Sequence, residues 1–279
     1  MKPFSNIQGW QIQHHEKLLF QANAGTPIIR LKFYHYPSYR QTVEINKPPE
    51  QCKLKNKGEN TYFIFHHKVG AKGIISIERT ISVYPKSFTP NNADWGKISD
   101  FSSHLQRKYQ QRLRYWPQHA QVIQDISNQD WFNIDDLFAW VQSANTYIKE
   151  KIKYPEKQEK RLGAEQAFLT GSGDCDEFTD LFITIARMRG IPCRRLTGFF
   201  IQQNLTSEAH AWGEIQTPEK VWIPIDIALH NIGHHTMNYI VLKIEEFNPA
   251  LPDYQIQTKH STTVHHQWEL PTPLFTPIY

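Results

Sequence analysis

The sequence predicts an α+β protein in which an all-β region precedes a core of helices followed by an antiparallel sheet. Apolar and polar residues alternate between residues 28 and 84, whereas from about residue 97 apolar residues recur at spacings of three and four. Three runs with strand character then follow the last helical segment. We therefore expect a β-rich accessory domain at 1–95, a helix-and-sheet core at 96–248, and a Pro-rich tail at 249–279 that packs on the surface.

The composition is that of an ordinary globular protein. Hydrophobic residues make up 39% of the 279 positions and charged residues 21%, which does not suggest disorder. The net charge of +4 is spread along the chain without a dense basic block, so we expect no nucleic-acid partner. The first residues have no long apolar run, and no stretch approaches the roughly 18 apolar residues of a membrane span. A cytoplasmic protein that does not bind membranes is expected.

The clearest strand of the first region covers residues 75–83, where Ile and Val alternate with polar residues. The segments IIRLKF and TYFIF have the same character. Gly and Pro residues between these runs mark turns, so a small antiparallel sheet or sandwich is predicted. Pro85, Pro90 and the NNADWG stretch read as a linker to the core.

The core begins with an amphipathic helix whose apolar face runs from Ile134 to Ile152. A short helix is predicted at 164–169, and a second amphipathic helix runs from Cys175 to about Arg189 and ends before a Gly-Ile-Pro sequence. Three strands are predicted after it, in the segments CRRLTGFFIQQ, AHAWGEIQ and KVWIPIDIA.

Cys175 is the candidate nucleophile. Asp174 is a suitable N-cap for the second helix and Glu177 completes a capping box, so Cys175 falls in the first turn. Free backbone N–H groups and the helix dipole favour a thiolate there, whereas the neighbouring carboxylates oppose it. A base must therefore supply most of the activation.

His210 and Asp226 are candidates for the base and for the carboxylate that orients it. Residues 216–220 resemble a turn, so the flanking strands should form a hairpin. Pairing Ile215 with Val221 matches the apolar faces and sets His210 directly opposite Asp226, with Cβ atoms roughly 5 Å apart. A shift of one residue would put them on opposite faces.

The other candidate site residues have less specific signals. The backbone N–H of Cys175 could hold an oxyanion, and Gln166, in the predicted short helix, is the candidate for a second donor. Trp212 is expected to form a wall of the site.

We expect no metal and no cofactor. The three cysteines form no CxxC pair, and no HExxH motif is present. Adjacent residues on a strand point to opposite faces, so the four His-His pairs seldom offer both rings to one ion. The least implausible metal cluster is His230, His234 and His235.

Three linked segments, GSGDCDEFTDLFITIARMRGIPCRRLTGFF, HAWGEI and VWIPIDIA, resemble the core of the transglutaminase-like superfamily, over about residues 130–230. The resemblance is to bacterial members of the cysteine protease type and implies a papain-like arrangement with Cys175 as nucleophile, His210 as base and acid, and Asp226 as the orienting residue. The family often continues with Pro-Thr after the aspartate, where this chain has Ile-Ala-Leu-His, which puts the substrate rim in doubt. The family includes cross-linking transferases, proteases, peptide amidases and inactive members.

The predicted function is a cysteine-dependent amide hydrolase, a protease or peptide amidase, that acts on a peptide or protein through a thioester. The sequence has no D-x-[DN]-x-[DN]-G loop, so calcium-activated cross-linking is the less favoured branch. Acyl transfer to an amine, as in a transglutaminase, and a noncatalytic peptide-binding module that retains the fold are the alternatives.

Overall fold

A computed structural model of the chain describes residues 6–22, 29–48, 52–67, 72–90, 95–155, 160–248, 252, 254–258, 264–269 and 272–279. The first part of the chain consists of the strands β1 (Gly9–Ala22), β2 (Ile29–His35), β3 (Gln41–Lys47), β4 (Cys52–Lys57), β5 (Asn60–His67) and β6 (Lys72–Pro85). The helices follow: α1 (Ser103–Tyr109), α2 (Gln121–Gln124), α3 (Leu137–Lys151), α4 (Ala164–Thr170) and α5 (Cys175–Met188). Then come β7 (Cys193–Ile201), β8 (Ser207–Gln216), β9 (Trp222–Asp226), β10 (Asn231–Ile232) and β11 (Tyr239–Glu245). This order confirms the predicted α+β class with an all-β first region.

The β region is a sandwich of two antiparallel sheets. Three later strands take part in these sheets: β12 (Tyr254–Thr258), β13 (Val264–Glu269) and β14 (Leu274–Ile278). One sheet has the order β13-β1-β6-β3, with β14 also paired to β1, and the other has the order β12-β2-β5-β4. The apolar side chains of the two sheets meet in one cluster that contains Leu18 and Ile77 from the first sheet and Leu31, Phe33 and Phe63 from the second. Alternation along the strands therefore buries one face of each sheet.

The Pro-rich segment expected as a surface tail is different in the structure. It forms the strands β12 (Tyr254–Thr258), β13 (Val264–Glu269) and β14 (Leu274–Ile278), which pair with β1 and β2. The prolines misled the sequence interpretation because sheet edges tolerate proline where a backbone donor is not needed. Of the predicted linker, residues 91–94 lie outside the described residues, while Phe88 forms a β-bridge with His235.

The third sheet, which we call the core sheet, lies among the helices of the core. It is antiparallel, with the strand order β10-β9-β8-β7-β11. Helix α5 packs across it, and a Cβ built on Gly213 would lie 3.3 Å from the ring of Phe182. Helix α3 begins at Leu137, later than its apolar face predicts, because Asp136 caps it through the N–H of Ala139 at 2.8 Å. In the described part of the chain, no helix has both the length and the apolar character needed to cross a membrane.

A buried ion-pair network joins the β region to this sheet. The Glu214 carboxylate on β8 accepts hydrogen bonds from Arg40 (2.7 Å), Arg194 (2.8 and 2.9 Å) and the hydroxyl of Tyr39 (2.8 and 2.9 Å). Burial opposes its charge, but the two guanidinium groups outweigh burial and lower the pKa of Glu214. The loop after β2 is thereby tied to the strand that carries His210.

Candidate active site

The start of helix α5 holds Cys175 in a rigid turn. The carboxylate of Asp174 accepts the N–H of Asp176 at 2.8 Å, and that of Glu177 accepts the N–H of Asp174 at 3.2 Å. The predicted capping box is therefore confirmed. A Cβ at Gly173 would lie 2.3 Å from the Cβ of Glu177, so glycine is required for this close approach.

The Cys175 thiol is partly exposed, and its surroundings disfavour the thiolate. Burial, followed by the charges of Asp176 and Asp174, raises the pKa of Cys175 to about 12. A backbone hydrogen bond with Ala211 and the charge of Arg195 act in the opposite direction. At neutral pH the thiol holds its proton unless a base removes it.

The hydrogen bond with the backbone of Ala211 also places the Cys175 thiol beside β8, because Ala211 follows His210 on that strand. His210 is buried, and its Nε2 donates to Oδ2 of Asp226 at 2.7 Å. With Nε2 engaged by the carboxylate, Nδ1 is the ring nitrogen left to accept a proton. Asp226 is buried as well, so this contact is protected from screening by water.

The hairpin that carries this pair has a different register from the predicted one. The observed pairs are Gly213 with Ile225 and Ile215 with Ile223, so the predicted pairing of Ile215 with Val221 is wrong by two residues. Val221 belongs to the turn instead, where its carbonyl accepts the N–H of Thr217 at 2.9 Å. A displacement of two residues keeps every side chain on its predicted face.

Two further donors fix the Asp226 carboxylate. The hydroxyl of Tyr239, on β11, donates to Oδ2 at 2.7 Å, and the N–H of Leu229 donates to Oδ1 at 3.0 Å. Burial and the Asp226 charge raise the pKa of Tyr239, so its phenol remains a donor at neutral pH. Asn231 in turn donates to the Tyr239 oxygen at 3.2 Å. Sequence reasoning missed Tyr239 because nothing in its local pattern predicts that β11 reaches Asp226.

Trp212 lies behind the imidazole. Its ring stacks on that of His210, with centroids 6.0 Å apart and planes 20° apart, and it is fully buried against Tyr239 and Leu196. It therefore supports the imidazole from the protein interior, and its predicted role as a wall of the site stays a prediction.

Tyr154 reaches the site from the end of α3, and sequence reasoning missed it too. The preceding residue, Lys153, forms a parallel β-bridge with Ser172 just before α5. Its N–H donates to the carbonyl of Gly171 at 3.0 Å, and its carbonyl accepts the N–H of Gly173 at 3.0 Å. These two bonds fix the backbone of residues 153–154 beside the turn that leads to Cys175.

The Tyr154 ring stacks on Phe178, one helical turn after Cys175, with centroids 5.3 Å apart and planes 27° apart. The side chain is 55% exposed, so one side of the ring faces solvent. Burial of the phenol oxygen and the nearby charges of Cys175 and Asp226 raise the pKa of Tyr154. A protonated phenol thus lies close to both the thiol and the carboxylate.

Gln166 lies exposed on α4. Its backbone carbonyl accepts the hydroxyl of Thr170 at 2.9 Å, and within the described ranges its side-chain amide makes no hydrogen bond with Cys175. A role for Gln166 in holding an oxyanion stays a prediction.

The histidines proposed as the least implausible metal cluster differ in environment. His230 and His234 are exposed, whereas His235 is buried against Trp212. Across the described residues, the group whose potential ligand atoms all lie within 4.8 Å of one another is instead Asp174, Cys175 and Asp176. The cap and an ion pair between Asp176 and Arg195 account for both carboxylates.

The comparisons with known proteins agree with this architecture. Residues 120–227 match the model of the transglutaminase-like superfamily. These residues form a transglutaminase-like core. The resemblance noted in the sequence is thereby confirmed, and the matched segment contains α3 to β9 together with Cys175, His210 and Asp226.

The "Uncharacterized protein YebA" of Bacillus subtilis (strain 168) is 25% identical over 137 residues, which are 43% of this chain and 18% of that protein. The chain thus spans about a fifth of the length of that relative. A crystal structure described as a "Putative Cysteine Protease from Cytophaga hutchinsonii" superposes with a TM-score of 0.56 at 15% identity, over 97% of this chain and 94% of that chain. The shared fold therefore extends beyond the transglutaminase-like core to the β region.

Proposed function

We propose that the protein is a cysteine-dependent amide hydrolase, a protease or peptide amidase, with Cys175 as nucleophile, His210 as base and acid, and Asp226 as the orienting carboxylate. The observation that carries the proposal is the 2.7 Å contact between buried His210 and Asp226, next to the residue that hydrogen-bonds the Cys175 thiol. The Cytophaga structure of the same fold, described as a "Putative Cysteine Protease", adds support.

In the proposed reaction, Nδ1 of His210 takes the thiol proton as the Cys175 sulfur attacks the carbonyl carbon of an amide. The carbonyl becomes an oxyanion, which the N–H of Cys175 and one further donor stabilise. The imidazolium then returns its proton to the departing amine, and a thioester remains. Water, deprotonated by His210, attacks the thioester and releases a carboxylic acid and the thiol.

The raised pKa of Cys175 makes a protonated thiol the resting state of the nucleophile in this proposal. The proton passes from the sulfur to His210 as the sulfur attacks an electrophile, whether an amide carbonyl or an alkylating agent, since Asp174 and Asp176 destabilise a standing thiolate. Asp226 then stabilises the imidazolium that forms, because it already holds Nε2.

Alkylation of the thiol tests the activated cysteine. A Cys52→Ser background removes the other partly exposed thiol, and Cys193 is buried. Iodoacetamide labelling of Cys175 at about pH 6, followed by mass spectrometry, should be faster than that of a free thiol and should slow in His210→Ala. Equal rates in the two proteins, both matching a free thiol, would favour a noncatalytic binding module.

The fate of the thioester needs a second experiment. Peptide and glutamine-amide substrates, including cell-wall peptides, are incubated with the protein or with Cys175→Ala in the presence of a fluorescent primary amine. Release of a free carboxylate that depends on Cys175 supports hydrolysis, whereas incorporation of the fluorescent amine identifies a transglutaminase.

A further inference from the structure

One face of the sheet that contains β2, β4 and β5 carries a row of lysines. Side chains alternate along β4, so Lys53, Lys55 and Lys57 point to the same side. Lys53 pairs with Ile64 of β5, and Ile64 pairs with Lys32 of β2, which places Lys32 on that side too. We call this set, Lys32, Lys53, Lys55 and Lys57, the lysine face.

The lysine face borders a cleft of about 640 Å³ between the β region and the transglutaminase-like core. Lys32 and Lys57 line it from the sheet, Lys108 lines it from α1, and four aromatic residues are also part of its lining: Tyr62, Tyr109, Trp222 and Phe247. The volume falls in the range of about 300–1,000 Å³ that is usual for ligand sites.

The lysines that line the cleft are not paired with carboxylates in the described structure. In the parts of the chain that the structure describes, none of Lys32, Lys57 and Lys108 forms an ion pair. The Lys32 ammonium lies 3.5 Å from the centroid of the Tyr62 ring, and that of Lys108 lies 4.8 Å from the centroid of Phe247. Burial lowers the pKa of Lys32, and the nearby positive charges of Lys57 and Arg30 lower it further.

The two carboxylates that line the cleft already have partners. Glu59 pairs with Arg194, and Glu246 accepts the hydroxyl of Tyr109. The lysines therefore remain available to an anionic ligand, and each new ion pair would relieve existing repulsion.

Protection of a sheet edge does not explain this arrangement. Lysines on an edge strand such as β4 can prevent sheets from adding to one another. Lys32, however, lies on an interior strand and Lys108 on a helix. Both face the cleft rather than the strand edge.

The spacing of the lysines favours an extended ligand over a small anion. Lys53 and Lys57 are roughly 13 Å apart along the strand, at about 3.3 Å per residue. Side-chain amides at the rim of the cleft, from Gln216, Asn248 and Gln255, can bond peptide groups.

We propose that the cleft and the lysine face bind an acidic segment of a polypeptide, in which Asp or Glu residues recur along an extended chain. The site is separate from the nucleophile. Gln216, at the cleft, is the last residue of β8, and His210 precedes it by about six residues, roughly 20 Å at about 3.3 Å per residue. Binding there does not depend on the proposed hydrolase chemistry.

Fluorescence anisotropy on the full-length protein tests this proposal. The probe is a labelled short peptide of alternating Glu and Ser, compared with its Gln-Ser counterpart and with an oligothymidylate of similar length. The variant is Lys53→Gln/Lys55→Gln/Lys57→Gln, and its matched control is Lys86→Gln/Lys97→Gln/Lys220→Gln, which removes the same charge from exposed positions elsewhere.

We expect the acidic peptide to bind, more weakly as salt increases, and to lose about tenfold in affinity in the lysine-face variant but not in the control. Lys32→Gln should weaken binding as well. Equal loss in both triple variants would mean only a net-charge effect and would overturn the proposal. Tighter binding of the oligothymidylate, or equal binding of the Gln-Ser peptide, would also overturn it. Circular dichroism confirms that each variant is folded.

Discussion

His210 and Asp226 are joined by a 2.7 Å hydrogen bond although they do not face each other directly across the hairpin. Extending the observed register brings Asp226 level with Trp212, two residues from His210. The imidazole therefore reaches the carboxylate diagonally along one face of the sheet. Side chains of this size can span such a diagonal.

Replacing Asp226 with Asn should slow alkylation of Cys175 at neutral pH by about 10- to 100-fold, because a hydrogen bond to a charged group contributes about 1.5–3 kcal/mol. Timed iodoacetamide labelling measures the rate. Asp135→Asn is the control, since Asp135 is an exposed carboxylate bonded to Ser99. An unchanged rate in Asp226→Asn would argue against an orienting role.

Tyr239→Phe removes one donor to Asp226 and leaves the other two. We expect a smaller loss of alkylation rate than in Asp226→Asn, together with a loss of about 1–3 kcal/mol in the free energy of unfolding. Urea denaturation and thiol labelling measure the two effects. Tyr109→Phe, which removes a hydroxyl from Glu246, should affect stability without affecting the thiol.

Side-chain parity, the alternation of side chains between the two faces of a strand, predicted more of this site than the expected register of β8 and β9 did. Because parity survives a shift of two residues, the sequence placed His210 and Asp226 on one face even though Val221 lies in the turn and not in the predicted pair. Helix capping at Asp174 was predictable for a different reason, since it depends only on neighbouring residues.

The contributions of Tyr154 and Tyr239 could not be predicted in this way. Tyr239 reaches Asp226 from β11, which pairs with β7 at the far side of β8, and Tyr154 depends on a bridge between Lys153 and Ser172. Both positions follow from tertiary packing between segments far apart in sequence. The three strands in the Pro-rich segment escaped prediction because their partners, β1 and β2, lie at the opposite end of the chain.

Glu214→Gln should destabilise the protein by about 3–5 kcal/mol, because it leaves Arg40 and Arg194 near the interior without their shared counter-charge. The loss would weaken the connection between the β region and the core sheet. Chemical denaturation measures it, with the exposed Glu219→Gln as control. A change below about 1 kcal/mol would show that packing alone joins the two parts.

Acid should destabilise the fold partly through His235. Burial, then the charge of Arg40, lowers its pKa from 6.5 to about 4, so below about pH 6.5 the unfolded chain takes up a proton that the folded protein does not. The stabilising contribution is thus complete above pH 6.5 and is lost as the pH falls towards 4, with a slope of at most about 1.4 kcal/mol per pH unit.

Denaturation curves measured from pH 6.5 down to about 4 check that the free energy of unfolding decreases as the pH falls. His235→Gln should have a shallower dependence of unfolding free energy on pH than the unmodified protein. Some pH dependence remains in this variant because of His14 and His35, whose pKa values burial lowers to about 2 and 3.

The identity of the second oxyanion donor can be decided between Tyr154 and Gln166. Tyr154 has a protonated phenol close to the thiol, whereas the Gln166 amide makes no hydrogen bond with Cys175 in the described structure. We expect Tyr154→Phe to slow acylation by p-nitrophenyl acetate by about 100-fold, and Gln166→Ala to leave it unchanged. Iodoacetamide forms no oxyanion, so labelling of Cys175 should be equal in both variants. Slower acylation in Gln166→Ala alone would assign the role to Gln166, and slower alkylation in Tyr154→Phe would mean that the tyrosine acts by positioning the thiol.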